Sequence, residues 1–249
     1  IENPNYWFPY TEGEPFVYSG TLKLFKNKEL IQTMPIHFGI KHLKWKNNNN
    51  QIEFVLNGKS IDVFAIDYNK QDWYKWTTPT EIESYIKHIK ALGINCVRIS
   101  GKQDYLREEL LDIFDKAGVF IWQDLHITSL PKEWTPEAKL NIQQEIIGLC
   151  NTYRSHPSIL SLGGKTENHN DTTEHAGLIH YEVFEQVIPK LVSTFSDLEY
   201  ISATVGNFCG FRDSVYLPDL VAGEQIYILA WSYNNQVGWG ANTDYTFTF

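Results

Sequence analysis

The stretch "INCVRISGKQDYLREELLDIFDKAGVFIWQDL", residues 94–125, carries the fold in miniature. "INCVRISG" is a short apolar run, the form of a strand buried on both faces. "YLREELLDIFDKAG" then places apolar residues at helical spacing and stops at Gly118, a residue suited to the left-handed conformation that closes a helix. "VFIWQDL" is a second short apolar run. Strand, helix and strand in about 30 residues make one βα unit with a parallel return.

The same alternation continues on both sides. Upstream, "SIDVFAIDY" (60–68) reads as a first strand. "TTPTEIESYIKHIKALG" reads as a first helix, with Thr78 as N-cap, Pro79 at the first turn and Glu81 closing a capping box. Ile82, Ile86, Ile89 and Leu92 form its buried stripe, and Gly93 ends it. Downstream, "TPEAKLNIQQEIIGLCNTYRSHP" is a third helix opened by Thr135 and Pro136. "SILSLGG" is a fourth strand, "LIHYEVFEQVIPKLVSTF" a fourth helix kinked at Pro189, and "EYISATVG" a fifth strand. Before Ser60 the text is β-structure: "PFVYSGTLKLF" alternates up to the turn "KNKE", "LIQTMPIHFGI" follows, and "QIEFVLNGK" turns at Asn57-Gly58.

Five strands separated by helices fit an open α/β sheet or a (β/α) barrel. The 43 residues after Gly206 are too few for three further βα units at roughly 30 residues each. A complete eightfold barrel therefore does not fit, and two α/β folds stay open on the residues alone: an open sheet, or a (β/α) barrel that is incomplete or shortened.

The 249 residues carry a net charge of −9 with no basic cluster, which disfavours nucleic acid and anionic membranes as partners. No apolar stretch approaches the roughly 20 residues that span a bilayer. "IENPNYWFPY" lacks the basic and apolar regions of a signal peptide and looks like mid-chain text. Eight Trp and fourteen Tyr suit sugar faces as well as cores. Cys96, Cys150 and Cys209 have no metal spacing and read as free thiols, the first two buried. His169, His175 and His180 also lack ligand spacing, and His156 reads as a helix C-terminal residue favoured by the dipole. No metal or cofactor is expected.

Polar residues gather where the strands stop: Asp72, Arg98 and Ser100, Gln123 and Asp124, then Glu167 and Asn168. This is the ligand face of parallel α/β folds. Carboxylates, an arginine and Trp rings are what glycoside hydrolysis uses, one carboxyl protonating the leaving oxygen and a second attacking the anomeric carbon or activating water. Arg98 also reads as an ion-pair partner for Asp124.

Six phrases in order resemble the β-mannosidases of glycoside hydrolase family 2. "ENPNYWFPY" with "GEPFVYSGTLKL" looks like the end of the immunoglobulin-like sandwich domain that precedes the family's barrel. "HFGIKHLKWKNNNNQIEFVLNGKSI" is similar to its Phe-Gly-Ile-Arg linker and the Asn-Gly hairpin that opens the barrel. "CVRISG", "LLDIFDKAGVFIWQD" and "YRSHPSILSLGGKTEN" continue the match to about residue 205. The resemblance implies an α/β fold, a (β/α) TIM-type barrel, incomplete or shortened, over 42–249 with the tail 208–249 unassigned, preceded by strands of a β-sandwich over 1–41. It also implies a retaining, exo-acting hydrolase of a terminal β-linked sugar, in a periplasmic, secreted or lysosomal-type compartment, as a homo-oligomer or larger assembly. It puts Glu167 at the general acid/base, Arg98 at the arginine that organises the site, and Asp72, Trp122, Asp124, Thr166 and Asn168 among the substrate-binding positions.

The chain departs from that pattern in places. Thr166 replaces the Asn that precedes the acid, Lys165 stands beside it, and Ser100 replaces a Trp. The nucleophile phrase is matched by "GNFCGF", which puts Asn207 where a carboxylate is needed about 5 to 5.5 Å from the acid; an amide cannot form the glycosyl ester. Glu224 in "AGEQIYILAW" is the alternative strand-seven carboxylate, although it precedes an apolar run and a nucleophile belongs at a strand's C-terminal end. Two functions stand side by side: a β-mannosidase-like hydrolase, or a catalytically impaired relative that binds carbohydrate or scaffolds other subunits.

Overall fold

The computed structural model describes residues 1–48, 51–68, 77–101, 103–127, 135–164 and 182–202. The chain opens with an antiparallel hairpin, β1 (Tyr18–Lys26) and β2 (Glu29–Phe38). Its tight turn has positive φ at Asn27 and Lys28, the geometry that matches strand twist. Alternation gives the hairpin two faces. Tyr18, Gly20, Leu22 and Leu24 share one with Phe38, Ile36 and Met34; Ser19, Thr21 and Lys23 share the other with His37, Pro35 and Thr33. Leu22, Leu24, Met34 and Ile36 of the apolar face are exposed.

A three-stranded antiparallel sheet follows, β3 (Leu43–Asn48), β4 (Gln51–Leu56) and β5 (Lys59–Ile61). The Asn57-Gly58 turn joins β4 to β5, with φ of 49° and 84°. The Asn57 side chain accepts from the His42 amide at 2.8 Å and donates to the Trp7 carbonyl at 3.1 Å.

"SIDVFAIDY" is not one strand. β5 ends at Ile61, paired to Phe54, and β6 (Ala65–Asp67) starts a different sheet beside Cys96. The buried Asn95 side chain pins the corner between them, donating to the Asp62 carbonyl at 2.9 Å and accepting from the Phe64 amide at 2.8 Å. Backbone groups at a corner lack ladder partners, and one amide satisfies both polarities.

From β6 on, strand and helix alternate: α1 (Pro79–Ala91), β7 (Cys96–Ile99), α2 (Glu108–Ala117), β8 (Phe120–Asp124), α3 (Pro136–Tyr153), β9 (Ile159–Gly163), α4 (Ile188–Phe195) and β10 (Tyr200–Ile201). A wide π-type turn, Glu182–Val187, leads into α4 with Pro189 in its first turn, where a missing amide hydrogen costs no bond. The N-caps expected for α1 and α3 form: Thr78 accepts from the Glu81 amide, Glu81 reaches back to the Thr78 amide at 2.8 Å, and Thr135 accepts from the Ala138 amide. Ile82, Ile86 and Ile89 are buried as the stripe requires, while Leu92 is half-buried as the C-cap. Gly118 closes α2 at φ 69°.

The five-stranded sheet has the order β6-β7-β8-β9-β10, every pair parallel. Right-handed crossovers stepping always in one direction put every helix on one face. A doubly wound sheet would reverse its order and carry helices on both. The helix-side core joins Val97, Ile99, Ile121, Leu125, Ile159 and Leu162 to Ile82, Leu111, Phe114, Ile146 and Phe184. The opposite face has its own core, where Cys96, Phe120, Trp122, Leu160 and Ile201 meet Trp7, Leu43, Phe54 and Leu56. This is the wall of a (β/α) barrel whose lower end is filled by the antiparallel sheet.

The linker fastens that floor. Gly39 lies so close to the Pro157 ring that a Cβ there would overlap it. The Lys41 ammonium donates to the carbonyls of Pro157, at 2.7 Å, and Ile159, near the faces of Trp7 and Phe120.

Candidate active site

At the C-terminal end of the sheet the inward side chains change from apolar to charged. Register sets the layers: Ala65, Cys96 and Phe120 lie side by side below, Asp67, Arg98, Trp122 and Ser161 above them, and Asp124 beside Gly163 at the rim. One step of two residues along each strand carries the face from core to site.

Arg98 is the hub. Its Nε and Nη2 both donate to Asp124 Oδ2, at 3.0 and 2.7 Å, and Nη1 lies 3.7 Å from Asp67 Oδ1. The other Asp124 oxygen accepts from Trp122 Nε1 at 2.8 Å. Asp124 is 2% exposed, against 24% for Arg98 and 22% for Asp67. A buried carboxylate held by a guanidinium and an indole N–H has its charge and lone pairs satisfied. Trp122 is itself fixed from below by an edge-on contact with Phe54. The Asp67 carboxyl titrates above its ordinary range because burial disfavours its charge, Arg98 opposing the shift and Asp124 adding to it.

Gly163 completes the constellation. A Cβ on it would overlap Asp124 Oδ1 and stand 2.5 Å from Trp122 Nε1. The glycine lets the fourth strand pass directly over the indole–carboxylate bond, and the segment carrying Glu167 begins just beyond it. Behind the rim, the Gln123 side chain turns to the helix side, accepting from the Tyr153 hydroxyl at 3.2 Å. The loops after β7 and β8 are tied together: the Tyr105 hydroxyl accepts from the His126 amide and donates to Glu145, and His126 Nε2 meets the Gln103 carbonyl.

Of the residues singled out from sequence, Arg98, Trp122 and Asp124 converge in this cluster, and the Arg98–Asp124 ion pair forms. Trp122 and Asp124 are buried. Asp72, Thr166, Glu167, Asn168, Asn207, Glu224, Lys165, the tail 208–249 and His169, His175 and His180 lie outside the described residues. Asp67 and Gly163 were not singled out. Asp67 could have been found as the last residue of its strand, the position Asp124 holds in its own.

His156 differs from expectation. It is 4% exposed, and its Nδ1 meets Asp115 Oδ2 at 2.7 Å, so a buried carboxylate rather than the helix dipole holds it. Asp115 Oδ1 also accepts from the Ser158 amide at 2.9 Å. Asp112 completes a group of acids around His156, with ligand atoms within 4.8 Å of one another. The pair sits at the lower end of the barrel, beside a cavity of about 90 Å³ lined by Lys41, Arg154, His156, Asp197 and Glu199. Cys96 and Cys150 are free and buried. Among the described residues no helix is long and apolar enough to cross a membrane.

No known protein-family profile matches the chain. Individual relatives do. An exo-β-D-glucosaminidase of Arthroderma benhamiae is 27% identical over 175 residues, 65% of this chain and 19% of that protein. A β-mannosidase B of Aspergillus clavatus is 21% identical over 221 residues, 79% of this chain and 26% of that one. Among solved structures, the exo-chitosanase CsxA of Amycolatopsis orientalis superposes with a TM-score of 0.66 at 20% identity, covering 83% of this chain and 25% of its own. The β-D-mannosidase of Dictyoglomus thermophilum gives 0.66 at 20%, covering 81% and 26%.

The chain thus falls in the class of sandwich-plus-barrel α/β proteins with a polar rim at the C-terminal strand ends. Its sequence is related to those of curated β-mannosidases and exo-β-D-glucosaminidases, in keeping with the resemblance to the β-mannosidase-like enzymes of glycoside hydrolase family 2, and its fold is that of the solved exo-chitosanase and β-D-mannosidase. It spans about a fifth to a quarter of the length of the curated relatives it matches.

Proposed function

We propose that this chain contributes the acid/base side of a saccharide site for a terminal β-linked sugar, with Glu167 as general acid/base and the Arg98–Asp124–Trp122 network as its scaffold. The observation that carries the reading is that network, built on adjacent parallel strands at the end of the sheet where such folds take ligands. An acid/base carboxyl must donate a proton to the glycosidic oxygen and later accept one from water. A rigid network in which the Asp124 charge is balanced by Arg98 keeps the sugar's approach fixed and limits reorganisation. Asp67 and Arg98 are the partly open members and the ones available to sugar hydroxyls. Residues 1–41 supply the last strands of a sandwich domain, consistent with the uncovered apolar face of β1 and β2.

The tail decides between turnover and binding. With Asn207 at the nucleophile position, the sequence favours a second reading in which sugar is held but no glycosyl ester forms. Release of aryl alcohol from an aryl β-mannoside that disappears in Glu167→Gln supports the hydrolase. Saturable β-mannoside binding without turnover supports the impaired relative. Neither binding nor turnover overturns both.

A further inference from the structure

We propose that the cavity at the lower end of the barrel binds a small tetrahedral oxyanion, held between the Lys41 ammonium and the Arg154 guanidinium. The site lies at the opposite end of the strands from the polar rim, and it stands whether or not that rim takes a saccharide.

The cavity, of about 90 Å³, is lined by Lys41, Lys44 and Arg154 against Asp197 and Glu199, with His156 on its wall. Lys44 and Glu199 are already paired at 2.7 Å, which leaves two cations facing one acid. Lys41 donates to the Pro157 carbonyl at 2.7 Å and to the Ile159 carbonyl, so one of the three ammonium N–H groups has no acceptor there. Among the described residues no carboxylate pairs with it. Burial lowers its pKa to about 7, and Asp115, Asp197 and Glu199 oppose that shift only from a distance. Carbonyl dipoles and the ring faces of Trp7 and Phe120, 6.0 and 5.7 Å from Nζ, ease the burial of the charge, and an anion would complete its compensation. Arg154 stands at the C-cap of α3 with an exposed guanidinium that has no ion-pair partner among the described residues. His156 turns Nδ1 to Asp115, at 2.7 Å, and its Nε2 is buried without a partner among the described residues. A guanidinium fork and an ammonium on one small cavity match an ion that presents several oxygens. A metal cation would meet two positive charges against one acid. The bound oxyanion joins the linker, the end of α3 and the segment entering β10.

The test is a nitrogen-15 NMR titration of the full chain with inorganic phosphate at pH 6.5 and constant ionic strength. The Trp7 indole and the amides of Lys41, His156 and Ile159 should move saturably, with a midpoint in the low millimolar range, while the Trp122 indole and the Arg98 amide stay fixed. Arg154→Gln, a change at an exposed side chain, should raise the midpoint by about tenfold, as loss of a charged hydrogen bond does. A second titration uses sulfate, whose charge is constant across the range. The wild type should bind it about tenfold or more weakly at pH 8.5 than at pH 6, because Lys41 has then lost its proton. Lys41→Met at pH 6 should bind sulfate no better than the wild type does at pH 8.5. Shifts that grow linearly without saturating, a midpoint that Arg154→Gln leaves unchanged, or a sulfate affinity that pH leaves unchanged overturns the inference. Saturable movement of the Trp122 indole in place of Trp7 puts the ion at the rim and overturns it as well. None of these outcomes bears on sugar binding, which the mannoside experiments read separately.

Discussion

A methyl group on Gly163 has nowhere to go, because the indole–carboxylate bond between Trp122 and Asp124 occupies the space. Gly163→Ala should therefore cost about 1–3 kcal/mol, the usual penalty for forcing atoms into a packed site, measured as a lower urea midpoint. Asp124→Asn removes the buried carboxylate that takes two N–H groups of Arg98 and leaves Asp67, 3.7 Å away, as its acid neighbour; the loss of charged hydrogen bonds should cost about 1.5–3 kcal/mol, read the same way. Arg98 and Asp124 were legible in sequence because each is a lone charge in an apolar strand, and lone buried charges need partners. Asp67 was not, because the run "SIDVFAIDY" does not show where its second strand begins and ends. Only pairing register shows that Asp67 stands beside Arg98. Gly163 escaped for a related reason: a glycine required by a neighbour's side chain looks like one required by a turn.

At the scale of the element, helix ends were the most legible features. Thr78, Pro79 and Glu81 predict the capping box that forms around α1. Thr78→Ala should lower stability by about 1 kcal/mol, measured by chemical denaturation, with little change in the site. The division between β5 and β6 was hidden, since a continuous apolar run does not show which sheet each half joins. The side chain of Asn95, more than 30 residues away in sequence, makes that break. The β1–β2 hairpin offers a different test. Its exposed face of Leu22, Leu24, Met34 and Ile36 is larger than isolated surface apolar residues explain. Such a face should bind a hydrophobic dye, and Leu22→Lys with Met34→Lys should abolish most of that signal.

For the molecule as a whole, strand–helix alternation by itself leaves the choice between an open sheet and a barrel wall undecided, and it is the resemblance that favours the barrel. Strand order resolves it, and the antiparallel sheet fills the lower end of the wall. Lys41, which secures that lower end, has its pKa lowered to about 7, by burial first and against the pull of Asp115, Asp197 and Glu199. The folded state then binds fewer protons than the unfolded state above pH 7. Stability should rise from pH 7 toward pH 8.5, by up to about 1.4 kcal/mol per pH unit, and Lys41→Met should flatten that rise in urea unfolding.

The most direct test of the central claim uses the Trp122 indole N–H, which donates to Asp124 beneath the proposed sugar site. In a nitrogen-15 NMR titration with a methyl β-mannoside, its resonance should move saturably together with the amides of Asp67 and Arg98, while the Trp7 indole at the lower end stays fixed. A Trp122 signal that does not move at saturating sugar, or shifts confined to residues around Lys41 and His156, would contradict the account.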